Sequence, residues 1–455
     1  MLEYSDLSRS ITQMEYAVRG PIVQRAQELE KEGREIIYCN IGNPQALKQK
    51  PISYFRQVLA LCEYPELLKE KNIFPSDVIE VAKKILKESK HGLGAYSESA
   101  GFGFVREAVA NFISKRDEID SNPDSIFLTD GASKSAQSAM RLLLTESNDG
   151  MMIPIPQYPL YSATITFFGG KQVGYYLDEG NNWKLNKKLL EDSLAQAKRS
   201  NIRVRSIAVI NPGNPTGSVL DYENISMVID FAKEHNLTII ADEVYQENIY
   251  NHNEKFISFA KVLDDKKIKD VTLFSLNSAS KGFLGECGHR GGYVECRNIS
   301  REVSEQLLKL QSVSLCSNVP GQIVTYLLVS PPQKGSPSYE LYQAEKMAIL
   351  NELKAKAEIL AAGLNRIKGI SSNPVAGSMY AFPEIKLPKG KNDFQYCMDL
   401  LEKTGICVVP GSGFGQRPDT THLRTTILPP RDKMEEFLKK LEEFHSYYCA
   451  SGSEV

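Results

Sequence analysis

Between residues 125 and 295, short apolar, β-branched runs alternate with helical stretches, and no other feature of the chain restricts its fold as much. The strand-like runs are Ser125–Thr129, Met151–Pro154, Gln172–Leu177, Val204–Asn211, Thr238–Ala241, Val271–Leu276 and Gly291–Glu295. Helical spacing fills Ser133–Thr145, Leu185–Lys198 and Asp221–His235 between several of them. Continuous apolar strands are covered on both faces, and helical crossovers make neighbouring strands parallel. The pattern therefore predicts an α/β unit with a mostly parallel seven-stranded sheet flanked by helices. Ligands of such sheets sit beyond the carboxyl ends of the strands.

Around this unit the spacing predicts further helices over Gly103–Arg116, Ser300–Val313 and Val319–Val329. Near the start, Gly20-Pro21 opens a helix through Ile22, Ala26 and Leu29, and Gly33 stops it. The cluster Ser330-Pro331-Pro332-Gln333-Lys334-Gly335-Ser336-Pro337 marks a boundary. A helical run over Tyr339–Lys368 follows, with strands near Ser378–Glu384, Gly405–Val409 and His422–Ile427. The expected division is an N-terminal arm with part of a small domain (1–90), a large α/β domain (91–330) and a small α+β domain (331–455).

Composition removes whole classes of function. A formal net charge of -2 gives no electrostatic reason to bind nucleic acid or an anionic membrane. Eight cysteines lie scattered without a C-x-x-C pair, and six histidines form no ligand spacing. Neither a disulfide framework nor a metal site is expected. No apolar run is long enough to span a bilayer, and the acidic opening Met1–Asp6 does not resemble a transit peptide, so the expected location is the cytoplasm.

The residues that carry chemistry fall at the ends of the predicted strands. Past Val271–Leu276 comes Ser278-Ala279-Ser280-Lys281-Gly282, continuing to Gly288-His289-Arg290. A lone S-x-x-K would be an ordinary surface lysine in a glycine-rich loop, so the neighbouring motifs decide. Asp130-Gly131-Ala132-Ser133 joins a strand to a helix whose first amides make an anion cradle. Tyr158 offers a ring at another strand end. Asn211-Pro212-Gly213-Asn214-Pro215-Thr216-Gly217 is a stiff loop that aims an amide. Asp242 ends a buried strand, where a carboxylate is costly without a cation, and Tyr245 follows it. A lysine amine, a phosphate cradle with Ser278 and Arg290, a stacking ring and a carboxylate for a protonated ring nitrogen together fit pyridoxal 5'-phosphate. Arg424, in a strand-like run, has the fork that binds a carboxylate, although an arginine on a water-facing edge strand would look the same.

These motifs, with Ile41-Gly42-Asn43-Pro44-Gln45-Ala46, Arg56–Cys62, Pro154–Thr164, Thr404–Arg417 and Thr426–Pro430, resemble the fold-type-I pyridoxal phosphate-dependent aminotransferases, and within them the alanine aminotransferase branch. The resemblance spans nearly the whole chain. It implies that Lys281 is the Schiff-base lysine and proton carrier, and that Asp242 partners the pyridine nitrogen. It gives Asn214 and Tyr245 to the phenolic oxygen, Tyr158 to stacking, and Ala132, Ser133, Ser278 and Arg290 to the phosphate. Tyr96 would reach the phosphate of a neighbouring subunit, which implies a homodimer. Arg424, Gly42 and Asn214 would hold the substrate. Arg290 stands nine residues after the lysine where many relatives have eight, and His289 beside it has no implied role. The implied reaction is reversible transfer between L-alanine and 2-oxoglutarate by a ping-pong route. Glutamate:glyoxylate transamination, a β-lyase and a non-catalytic ligand-sensing regulator are the alternatives. The last needs a fused DNA-binding module or a lost lysine, and the chain has neither.

Overall fold

A computed structural model of the chain describes residues 1–451 except 71 and 252. Seven strands form the central sheet: β1 (Ile126–Thr129), β2 (Asp149–Ile155), β3 (Lys171–Tyr176), β4 (Arg203–Ile210), β5 (Thr238–Asp242), β6 (Leu273–Ser278) and β7 (Gly292–Arg297). Their spatial order is β1-β7-β6-β5-β4-β2-β3. All pairings are parallel except those of β7, which runs against both β6 and β1. One reversed strand makes the sheet mostly parallel, as the alternation requires.

Successive side chains of a strand leave on opposite faces, and the two cores follow that period. From β5, Ile239 and Ala241 join the core beneath the helices Lys187–Arg199, Tyr222–Glu234 and Phe259–Asp265. Ile240 points the other way, toward the helices Ala132–Leu143, Leu160–Phe167 and Arg301–Ser312. Both layers being largely apolar, the sheet is covered on both faces, and the buried side chains of Ser275 and Glu295 within its strands are hydrogen-bonded.

The N-terminal residues divide between two further cores. Ile22, Ala26 and Leu29 of helix Pro21–Lys31 pack with Leu353, Leu360 and Leu364 of helix Tyr339–Leu364 and with Phe437, Leu441 and Phe444 of the last helix. The strand Ile37–Tyr38 pairs in parallel with Ile406–Cys407. Helices Ser53–Glu63 and Ser76–Glu88 pack instead on helices Gly103–Asp117 and Val319–Val329 beside the sheet. Residues 40–51 thus run from one core to the other, across the carboxyl end of the sheet. The sequence pattern did not mark helices Arg9–Thr12, Asp393–Thr404 and Arg431–Ser451, nor two short ones packed on the sheet. Leu160–Phe167 is apolar nearly all round, and Phe259–Asp265 has only seven residues, so neither shows a periodic stripe.

No helix among the described residues is long and apolar enough to cross a membrane. No disulfide joins cysteines among the described residues.

Candidate active site

Strands β1, β2, β4, β5 and β6 all point their carboxyl ends at one cavity of about 840 Å³. Ala132, Ser133, Tyr158, Asn214, Asp242, Tyr245, Ser278, Lys281, Arg290, Gly42 and Arg424 all line it. Of the positions singled out in the sequence, only Tyr96 lies elsewhere: it is 76% exposed, on the glycine-rich loop 92–97.

Lys281 follows β6 on a loop held from behind. Asn248 bonds both the amide and the carbonyl of Gly282, and Gln49 donates to the carbonyl of Phe283. Buried Glu286 takes bonds from Arg56 at 3.0 Å and from His289 at 2.9 Å. His289 therefore braces the loop from outside the cavity. The Lys281 amine donates to the carbonyl of Gly42 at 2.6 Å.

Asp242 ends β5 with one oxygen bonded and one free. Tyr161, on the first turn of helix Leu160–Phe167, donates to its Oδ2 at 2.9 Å. Its Oδ1 is buried without a hydrogen-bond partner. No arginine pairs with it among the described residues, so the buried salt bridge that would make it merely structural is absent. Burial pushes its carboxyl up to about 6, against the Tyr161 bond and the charge of Lys281, which favour ionisation. A buried carboxylate with a free oxygen facing a cavity is a receptor for a cation that the chain itself does not supply.

The anion cradle is built at the other end of the cavity. Arg290 spans it, donating to the carbonyls of Asp130 and Cys287 and to Ser280 Oγ. Gly131, at φ +80, caps helix Ala132–Leu143, and a Cβ there would stand 2.5 Å from the Arg290 guanidinium. Ser278 Oγ bonds the amide of Ser280 and the carbonyl of Gly291. The helix dipole, Arg290 and the small side chains converge as a phosphate requires.

Arg424 is not on a water-facing edge. It sits on the central strand of a three-stranded sheet, paired on both sides, and is 1% exposed. Its guanidinium donates to the carbonyl of Asn40 and to Asn214 Oδ1, and lies 4.2 Å from the ring centre of Tyr380 and 4.6 Å from that of Phe414. No carboxylate pairs with it among the described residues. A buried guanidinium without an anion is expensive, and a substrate carboxylate would relieve it.

Three tyrosines were missed by sequence reasoning. Tyr161 holds Asp242, and Tyr16 donates to or accepts from the Tyr158 hydroxyl at 2.7 Å. Tyr380 is the third. It pairs in register with Thr426, two residues from Arg424, so the two side chains share a face. Its ring stands edge-on to that of Tyr245, with the ring centres 6.2 Å apart. Burial raises the Tyr380 hydroxyl, but the charges of Lys281 and Arg424 outweigh it and bring it below its ordinary value. The i, i+3 pair Tyr158/Tyr161 after a proline was the one available signal for Tyr161.

Gly42 shows how tightly these parts meet. A Cβ there would lie 1.8 Å from the Tyr380 hydroxyl and 3.0 Å from the Lys281 amine. Tyr380 is 3% exposed and hemmed by Arg424 and Tyr245, so it has no room to retreat. Gly42→Ala is expected to cost about 1–3 kcal/mol of stability, as overpacking does. It should also raise KM for every substrate by displacing Tyr380. Thermal melting and steady-state kinetics check both, and an unchanged KM would remove Gly42 from the substrate wall.

Comparison with known proteins agrees with this geometry. The family model described as aminotransferase class I and II matches residues 56–441. A probable mitochondrial alanine aminotransferase of Dictyostelium discoideum is 47% identical, over 97% of this chain and 88% of its own length. Glutamate–glyoxylate aminotransferase 1 of Arabidopsis thaliana is 45% identical, over 98% of this chain and 96% of its own. The solved structure of an alanine aminotransferase from Pyrococcus furiosus is 27% identical, with a TM-score of 0.81, over 97% of this chain and 100% of that one. With the matched region holding both the lysine loop and the strand of Arg424, the chain belongs to the class I and II aminotransferase family.

Proposed function

We propose that the protein uses pyridoxal 5'-phosphate to move the amino group of L-alanine to 2-oxoglutarate, giving pyruvate and L-glutamate, and that it does so reversibly. The observation that carries this reading is the convergence of Lys281, Asp242, Asn214, Tyr245, Arg290 and Arg424 on one cavity, in a chain whose relatives include named alanine aminotransferases.

The residues fit the cofactor. The free Oδ1 of Asp242 suits a protonated ring nitrogen, and the cradle of Ala132, Ser133, Ser278 and Arg290 suits a phosphate. Asn214 and Tyr245 would bond the phenolic oxygen, and Tyr158 would face the ring. When bound, pyridoxal phosphate supplies a carbonyl that takes up an amino group and a ring that withdraws electrons from the α-carbon. The chain's own part is positional and acid–base. Lys281 would hold the cofactor and carry the proton to and from the substrate α-carbon. Arg424 would fix the α-carboxylate, with Asn214 and the backbone of Gly42 beside it. Tyr161 keeps the Asp242 carboxylate oriented by its 2.9 Å bond.

Tyr96, exposed and outside its own chain's cavity, is assigned to the phosphate of a second copy, so the active unit is a homodimer. The glyoxylate reading has one observation in its favour, the 45% identity to a glutamate–glyoxylate aminotransferase. Pyruvate and glyoxylate differ by one methyl group, a difference worth only about 1–3 kcal/mol in a pocket.

The test is the visible absorption of the purified enzyme before and after L-alanine is added without a keto acid. The expected result is bleaching of the cofactor band with one equivalent of pyruvate. A band that ignores L-alanine but bleaches with glycine overturns the substrate in favour of glyoxylate chemistry. Absence of any band after pyridoxal phosphate is supplied overturns the cofactor.

A further inference from the structure

Immediately before the strand of Arg424 stands a histidine, His422, that is 1% exposed. Both of its ring nitrogens face oxygen acceptors. Nε2 lies 3.1 Å from Glu179 Oε1, and Nδ1 lies 3.2 Å from Gln416 Oε1. Other bonds fix which way the Gln416 amide points. Its Oε1 also accepts from the His422 backbone amide at 2.9 Å, and its Nε2 donates to Asp393 Oδ2 at 3.2 Å. A neutral imidazole has one N–H and could serve only one of the two oxygens. Two acceptors therefore call for a hydrogen on each nitrogen, and the imidazolium so formed is paired with the Glu179 carboxylate. The other charged groups around the ring are engaged elsewhere. Glu384, opposite His422 in a strand bridge, accepts from Ser371, Arg417 lies over the Tyr176 ring, and Lys184 is paired with Asp221.

Resting on the reading of Arg424 as the carboxylate site, we infer that His422 is its positioning residue: the ion pair with Glu179 clasps the Arg424 strand to the central sheet. Glu179 stands on the short turn that follows β3, and Asn373 grips the same turn by donating to the Glu179 carbonyl at 3.0 Å. From the His422 ring a stack of aromatic contacts runs to the guanidinium. His422 lies flat on Phe382, with ring centres 4.7 Å apart and planes 4° from parallel. Phe382 meets Phe414 edge-on at 5.9 Å, and the Phe414 ring centre is 4.6 Å from Arg424. Trp183 closes the side of the stack, edge-on to both Phe382 and His422.

The clasp acts on binding and not on the chemistry of the amino group. Arg424 would hold the α-carboxylate, which every amino-acid substrate carries, so a guanidinium shifted on its stack weakens all of them by one factor. Interactions made equally in the ground state and the transition state change affinity and leave the limiting rate alone. Charge is needed because a neutral ring would give up one of its two bonds, and with it either the grip on the sheet or the grip on Gln416.

Two measurements on the holoenzyme test this. Glu179→Gln removes the charge from a side chain that is 33% exposed, so the variant should fold. In single-turnover half-reactions its apparent Kd should rise about 10-fold for L-alanine and for L-glutamate alike, the scale of one charge-assisted hydrogen bond. The limiting rates should stay within about threefold of native. Glu179→Asp should recover part of the loss, which a packing role alone would not allow. Neutron diffraction from holoenzyme crystals should show hydrogen on both ring nitrogens of His422. An unchanged Kd, a rise for one substrate only, or a loss confined to the limiting rate overturns the positioning role. Hydrogen on a single nitrogen overturns the ion pair. A native enzyme inert to L-alanine overturns the functional reading instead, and the clasp is then judged from the L-glutamate half-reaction and the neutron map.

Discussion

Lys281→Ala is expected to lower transamination by at least about 10⁴-fold, because the variant would lose the amine proposed both to hold the cofactor and to carry the proton. Its fold should survive. The amine's hydrogen bond is to the carbonyl of Gly42, and the surrounding loop is held by Asn248, Gln49 and Glu286 rather than by Lys281 itself. One such bond is worth about 0.5–1.5 kcal/mol, too little to unfold a chain of this size. Circular dichroism and thermal melting would establish that the variant is folded, and single-turnover kinetics with L-alanine would measure the loss. Turnover within about 100-fold of the native rate would show that another group moves the proton.

Asp242→Asn separates charge from shape. Asparagine keeps an oxygen for Tyr161 but removes the negative charge, so kcat is expected to fall by roughly 10²–10³-fold, as when a preorganised electrostatic partner is lost. The cofactor-free protein should respond in the opposite sense. Burial, opposed in part by the Tyr161 bond, raises the Asp242 carboxyl from 3.8 to about 6. Between those values the folded chain holds a proton that the unfolded chain has lost, so native stability falls as pH rises through that window. The cost is on the order of 3 kcal/mol by the size of the shift. The asparagine variant lacks this slope, and without cofactor it should melt at or above the native temperature at pH 8. With cofactor the order should reverse, because the native carboxylate then has its cation. Melting curves of both proteins at pH 4 and pH 8, with and without pyridoxal phosphate, would measure this. A difference in melting temperature between native and variant apoprotein that is the same at both pH values would show that Asp242 is already neutralised by the chain.

Much of this molecule is written locally. The alternation that predicts the sheet places all seven strands to within two or three residues at each end, because burial on both faces forces an apolar run. Lys281, Asp242, Asn214 and the Ala132–Ser133 turn were legible for the same reason. Each lies immediately beyond such a run, and parallel strands bring their carboxyl ends to one side whatever their order. Arg424 was ambiguous, since a four-residue strand does not say whether it lies at an edge or in the centre.

The remainder depends on which distant segments meet. Lys281 touches Gly42 across 239 residues, and Arg424 touches Asn40 across 384. Those contacts exist because residues 40–51 pass between two separately packed cores, and no periodicity records how two cores dock. Tyr380 against Gly42 is a product of that docking, and Tyr161 reaches Asp242 from 81 residues away through the order of the sheet. The sequence by itself determined the sheet, the strand-end residues and hence the chemistry of the amino group. Only the tertiary structure decided which side chains close the pocket around the substrate, because a strand end is fixed by its own burial and a pocket wall by the packing of everything else.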